Sequence, residues 1–252
     1  MEIPETHPRY HSLVTREKIV EGMKRGIVVP QGLIAHGRGE AFDYIMGEKT
    51  REFAFIAEKA ATALLLLAKH PVISVNGNVA ALVAKELVEF SKIVEAPLEV
   101  NLFHWSKERV RKIKEFLEKY NANVLAAGDV ELKGIEHFRR IVDRRGIYKA
   151  DVVLVPLEDG DRCEILRRYG KKVIAIDLNP LSRTSLMADI TIVDKITRAI
   201  PNMIKIAKEL KNLNKSELKA IVDRFNNKEC LKKAIEAINE YLMKKSRGVG
   251  LI

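Results

Sequence analysis

Over the first seventy positions of the chain, apolar residues recur every three or four residues; after that the rhythm changes. SLVTREKIVEGMKRG (12–26) has helix spacing and a stop at Gly26, and TREFAFIAEKAATALLLLAKHP (50–71) runs from a Thr50 cap to a stop before Pro71. From residue 72 the apolar positions fall into short, β-branched, near-continuous runs. These are VISVNGN (72–78), LEVNLF (98–103), NVLAAG (123–128), DVVLVPL (151–157), KVIAIDL (172–178) and DITIVD (189–194). The segments VAALVAKELVEFSKIV, SKERVRKIKEFLEKY, GIEHFRRIVDRRG and RCEILRRYG separate the first five and read as helices. Strands alternating with helices predict βαβ units and a parallel sheet buried on both faces. Past residue 198 the pattern is helical again, and Asn214-Lys215-Ser216-Glu217 has the form of a capping box. The expected fold is α/β, a Rossmann-like parallel sheet of about six strands with helical N-terminal and C-terminal elements. Residues 1–70, 71–200 and 201–252 would form one compact unit.

Composition narrows the setting. At 47% hydrophobic the chain can bury a core. Its longest apolar run, AATALLLLA (60–68), is too short to span a bilayer, and MEIPETHPRYH lacks a basic-then-apolar leader pattern. A cytoplasmic protein without membrane contact is expected. Cys163 and Cys230 are far apart and have no metal-ligand spacing. The net charge of +10 comes from Lys and Arg interspersed with Glu along helices, the pattern of solvated faces. Anionic small molecules are therefore the expected partners, rather than nucleic acid.

In open parallel sheets ligands bind beyond the carboxyl ends of the strands. Four such ends carry chemistry here. In VNGNVAAL, Asn78 can cap the next helix, and Asn76, Gly77 and Asn78 can face an anion; the stretch equally suits a tight βα turn. It lacks GxGxxG, and the second run ends in Phe103-His104-Trp105 without an acid, which argues against a dinucleotide dehydrogenase. AAGDVE places Asp129 where it can bind a ligand or cap a helix. The fifth run ends in Asp177, and the link NPLSRTSLMA offers Asn179, Ser182, Arg183, Thr184 and Ser185 without room for a full helix. Asp194-Lys195-Ile196-Thr197-Arg198 repeats the theme after the sixth. Two neighbouring strand ends that each supply an acid, a hydroxyl and a cation suit a nucleotide: carboxylate for ribose, cations for phosphate.

Two features lie outside the strand alternation. At about 100° per residue, Arg16 falls within the apolar stripe Leu13, Ile19, Val20 and Met23, so its guanidinium needs either a buried carboxylate or a ligand anion. GRGEAFD within LIAHGRGEAFDYIMGE (33–48) is glycine-rich, but no strand precedes it and it lacks a P-loop ending. His36, Glu40 and Asp43 lack zincin spacing, and no metal ligand is assigned. The stretch is expected to be a flexible turn presenting Arg38, followed by a short helix, EAFDYIMG.

The set HPRYHSL-x-x-R-E, GLIAHGRGEAFDYIMGE, NGNVAAL, AAGDVELKGIEHFR, DLNPLSRTS and ADITIVDKITRAIPN resembles the archaeal phosphopantothenate synthetase family (4-phosphopantoate–β-alanine ligase) over nearly the whole chain. The resemblance implies a homodimer of coenzyme A biosynthesis that joins 4-phosphopantoate to β-alanine while splitting ATP to AMP and pyrophosphate. It implies ATP contacts at Arg16, Arg38, Asp177, Leu178, Asn179, Arg183, Thr184, Lys195 and Ile196. Activating a carboxylate develops charge on phosphate oxygens, so Arg38 and Lys195 are the expected catalytic cations, with Mg2+ carried by ATP. Asn76, Gly77 and Asn78 are the candidates for the substrate phosphate, and Asp129 or His104 for the amine proton.

Overall fold

The structure, a computed structural model, describes residues 3–248. The outer ends of the first and third segments, residues 1–2 and 249–252, lie outside the described residues. At its centre is a parallel six-stranded sheet: β1 (Pro71–Val75), β2 (Leu98–Val100), β3 (Val124–Leu125), β6 (Val152–Pro156), β7 (Lys172–Ile176) and β8 (Ile190–Ile192). The strands lie in the order β3-β2-β1-β6-β7-β8, with Ile73 beside Leu98 and Leu154 beside Ile174. The chain leaves β1 toward one edge and returns to β6 on the other flank, so the order reverses between β1 and β6. That is the position where an open α/β sheet forms a crevice.

Alternate residues of each strand pack on opposite sides. Ile73, Leu154, Ile174 and Ile176 join one core, with α3 (Glu52–Leu67), α4 (Gly77–Ile93) and α8 (Ile196–Leu210) against it. Val72, Val153, Val155, Val173 and Ala175 join a second core with α6 (Gly160–Arg168). Both faces are covered, which is why the runs in the sequence are continuous rather than alternating. The first core also takes in Ile19 of α1 (Tyr10–Lys24), Met46 of α2 (Pro30–Met46) and Leu231 of α10 (Asn227–Gly248). α5 (Lys107–Glu118) links β2 to β3, the single short helix α7 (Arg183–Met187) lies in the link from β7 to β8, and α9 (Lys215–Asp223) starts with the expected capping box on Asn214. No described helix is long and apolar enough to cross a membrane.

Four local expectations are corrected. The segment 134–146 is not a helix; β4 (Val130–Glu131) and β5 (Ile141–Val142) form an antiparallel ribbon around a single 3-10 turn, Phe138–Arg140. Gly134 sits at φ +90°, β-branched Ile141 and Val142 favour extension, and side chains rather than helix carbonyls take backbone N–H groups: Asp129 accepts from Arg144 and His137 from Arg139. Thr50 does not cap α3; its hydroxyl donates to Asp194 across the core. Asn76, not Asn78, caps α4 by accepting the Val79 N–H at 3.1 Å.

The glycine-rich stretch is the fourth. It lies inside α2, which starts with Pro30 in its first turn and ends at Gly47 with φ +95°. Each interior glycine costs the helix about 1 kcal/mol relative to alanine, but at Gly32 a Cβ would collide with the Asn78 side chain. Close packing on the N-terminus of α4 selects the small residue.

Candidate functional site

β6, β7 and β8 end in Leu157-Glu158, Asp177-Leu178-Asn179 and Asp194-Lys195, and α2 passes over these ends. Between them lies a cleft of ≈ 320 Å³ whose walls include Arg38, Gly39, Asp177, Asn179 and Thr184. A narrower recess of ≈ 70 Å³ adjoins it and shares Ala35, Gly39, Leu157 and Leu178; its polar residues are His36, Glu40, Asn78, Asp194 and Lys195. Larger hollows of ≈ 670 and ≈ 570 Å³ open elsewhere, the first between Arg51 and Tyr241 near the last helix, the second between α1 and Arg198. The ≈ 570 Å³ hollow also reaches Lys195, Thr197 and Arg198 after β8, but the 320 and 70 Å³ spaces are the ones that draw on the ends of β6, β7 and β8 together, where backbone N–H groups and helix starts converge on a ligand.

The loop after β7 is organised before any ligand arrives. Asp177 accepts the Asn179 N–H at 2.9 Å and the Ser182 hydroxyl, and Asn179 accepts the Leu181 N–H at 2.9 Å. Burial pushes the Asp177 carboxyl up, while Ser182, the Asn179 N–H and the charge of Arg38 oppose the shift. Thr184 donates to the Glu158 carbonyl at 2.7 Å, which closes the loop onto β6. Arg183 points away from the cleft to Glu164, in an exposed pair.

Arg16 has its buried carboxylate. Its Nε donates to Glu40 of α2 at 2.9 Å and its terminal nitrogen to the Tyr44 hydroxyl at 3.1 Å. Glu40 is 5% exposed; burial disfavours its charge, but hydrogen bonds from Ser12, Arg16 and Tyr44 hold its carboxyl below the usual range. The guanidinium therefore stands behind Glu40 and lines neither the cleft nor the recess. Lys195 lies 3.6 Å from Asp43, a buried carboxylate that Arg198 grips with two nitrogens at 2.6 and 3.1 Å. Arg198 also pairs with Asp194, which ties α2 to the end of β8.

The opposite half of the sheet edge is filled. Asn76 spans the reversal point by donating to the Pro156 and Leu157 carbonyls at 3.2 and 3.0 Å. Gly77 is packed beneath the Ile27 carbonyl and Arg109. Asn78 donates to the Gly32 carbonyl at 2.8 Å and alone of the three reaches the recess. His104 lies in a separate surface hollow with Phe103, Trp105 and Phe138, and exposed Asp129 caps the β4–β5 ribbon. Of the residues expected at the site, Arg38, Asp177, Leu178, Asn179, Thr184, Lys195, Ile196 and Asn78 come together over β7 and β8. Arg16, Arg183, Asn76, Gly77, Asp129 and His104 do not line that space.

Residues 53–241 match the phosphopantothenate/pantothenate synthetase family. The chain belongs to this family. The 4-phosphopantoate–β-alanine ligase of Thermococcus kodakarensis is 55% identical over 243 residues, 95% of this chain and 93% of its own. The ligase of the same name from Methanosarcina mazei is 54% identical over 242 residues, 96% of either chain. A third, from Thermococcus onnurineus, is 53% identical over 251 residues. His36, Glu40 and Asp43, weighed in the sequence only as metal ligands, stand together on α2, where His36 and Glu40 line the recess and Asp43 pairs with Lys195 and Arg198. Their i, i+4, i+7 spacing marks one face of a helix, a signal hidden once the glycines are read as a turn.

Proposed function

We propose that the protein is an ATP-dependent ligase that joins 4-phosphopantoate to β-alanine, giving 4′-phosphopantothenate for coenzyme A biosynthesis, with release of AMP and pyrophosphate. One observation carries the reading at the site: Arg38 and Lys195 flank a two-part space over β7 and β8 in a chain that matches ligases of this name along nearly their whole length. ATP occupies the larger cleft against Arg38, Asp177, Leu178, Asn179 and Thr184, with Lys195 and Ile196 in the wall of the adjoining recess.

A carboxylate is a poor acyl donor until its oxygen is made a leaving group. The phosphopantoate carboxylate attacks the α-phosphorus, an acyl adenylate forms, and pyrophosphate leaves. The amine of β-alanine then displaces AMP. Arg38 and Lys195 stabilise the charge that builds on phosphate oxygens, and the preformed loop after β7 fixes the nucleotide without reorganising. Mg2+ accompanies ATP, held chiefly by phosphate oxygens and water. Exposed Ile34 on α2, Leu181 in the loop after β7 and Leu186 on α7 support assembly as a homodimer, and a ligase of coenzyme A biosynthesis would work in the cytoplasm.

Incubation with ATP, 4-phosphopantoate and β-alanine should yield one AMP per amide formed. ADP in its place would reject the adenylate route, and no turnover would reject the assignment. Light scattering would test the dimer.

A further inference from the structure

Amide formation needs a neutral amine, and β-alanine carries an ammonium at neutral pH. A group must therefore take a proton beside the reacting carbonyl. The two residues expected for that task from the sequence, Asp129 and His104, lie on the other half of the sheet edge, away from the cleft and recess. The recess holds a different one. His36 lines it, and its Nε2 is buried with no hydrogen-bond partner, on a ring set one helical turn before Glu40. An unpaired ring nitrogen in a polar recess is costly unless a ligand uses it.

We infer that the recess receives the amine end of β-alanine and that His36 Nε2 is the proton acceptor for it. This deepens the ligase reading above and rests on it. Three observations agree. At ≈ 70 Å³ the recess has room for a few non-hydrogen atoms and not for a nucleotide, and it opens along Leu178 and Gly39 into the larger cleft. Its charged groups stand in ion pairs, Glu40 with Arg16, Asp194 with Arg198 and Lys195 with Asp43, so the lining carries no excess of positive charge to repel an ammonium. Burial first, and then the charge of Lys195, the opposing charge of Glu40 and the charge of Arg16, hold the imidazole pKa below its ordinary value, which favours the neutral form that has a lone pair to accept with.

The ammonium gives one proton to Nε2 and leaves a lone pair on nitrogen. That pair attacks the activated carbonyl carbon. The C–N bond forms, and the bond from carbon to the AMP oxygen breaks with its electrons going to AMP. A second proton leaves the nitrogen with the departing phosphate, the amide keeps the third, and the imidazolium returns its proton to water.

The experiment compares wild type with His36→Gln in three reactions: pyrophosphate exchange into ATP with phosphopantoate alone, turnover with β-alanine, and turnover with hydroxylamine, which is unprotonated at neutral pH. The β-alanine rate should fall by about 100-fold or more, while exchange and hydroxylamine turnover stay within about threefold. Equal losses with both nucleophiles, or an equal loss of exchange, would overturn the role. His36→Asn repeats the measurement should the glutamine variant fold poorly. Wild type that shows no exchange and releases ADP would reject the adenylate alone; the contrast between nucleophiles still tests His36, because any activated carboxyl requires a neutral amine.

Discussion

The two halves of the sheet's carboxyl edge start from similar material and reach opposite ends. Both carry Asn, Gly or Asp at strand termini followed by helices or turns. Over β7 and β8, α2 crosses at a distance that leaves room for a ligand, lined by Arg38, Asp177 and Lys195. At β1 the segment 27–32 lies so close that Gly77 has no space for a methyl group, and the polar atoms of Asn76 are used by the chain itself. Polar residues at a strand end mark a possible site; how close the covering element lies decides whether it becomes one.

Arg38→Ala should break this contrast most severely. Its side chain is exposed over the open half and pairs with nothing that holds the fold, so turnover should drop by about 100-fold or more with an unchanged melting temperature. Activity within about threefold of wild type would remove Arg38 from the mechanism. On the filled half, Gly77→Ala should act through stability instead. The added methyl meets the Ile27 carbonyl, and denaturant titration should show a loss of about 3 kcal/mol.

Beneath the open half, the buried carboxyl of Glu58 is raised to about 9 by burial and by the charge of Asp194. The folded protein keeps a proton that the unfolded chain releases above about 4.5, so this stabilisation is whole below that pH and is lost as pH climbs toward 9. Glu58→Gln should remove that decline, at most about 1.4 kcal/mol per pH unit, and melt higher than wild type at pH 8. Identical pH profiles of melting temperature would show that Glu58 is ionised in the folded protein. Smaller still is Gly37→Ala on α2. Nothing lies within 4 Å of the added carbon, so helix propensity alone predicts a gain of about 0.5–1 kcal/mol, against a loss for Gly32→Ala five residues earlier. The smallest effect belongs to the filled half: His104→Ala and Asp129→Asn should leave turnover within about twofold, and a large loss in either would relocate the amine step.

Some of this was readable in advance, and the reasons differ by element. The strands were legible because a sheet covered on both faces needs continuous β-branched runs such as VVLVP and KVIAI. The strand-end residues Asp177, Asn179, Thr184 and Lys195 were legible because topology sends every parallel strand end to one edge. The segment 134–146 was not, since apolar positions at helix spacing also fit a ribbon whose Leu132, Ile135 and Ile147 reach one core. Arg16 was half legible: its place in an apolar stripe demanded a partner, but nothing local in the chain named Glu40.

From the sequence alone come the alternation of strands and helices, the edge at which ligands gather, and the family resemblance carried by its motifs. These follow from local periodicity and from motifs that lie contiguous in the chain. Only the tertiary structure showed that the glycine-rich stretch is a helix, that it turns His36, Glu40 and Asp43 inward, and that Asn76 and Gly77 are sealed. Those outcomes depend on how closely two elements far apart in sequence approach, a distance set by packing across the core.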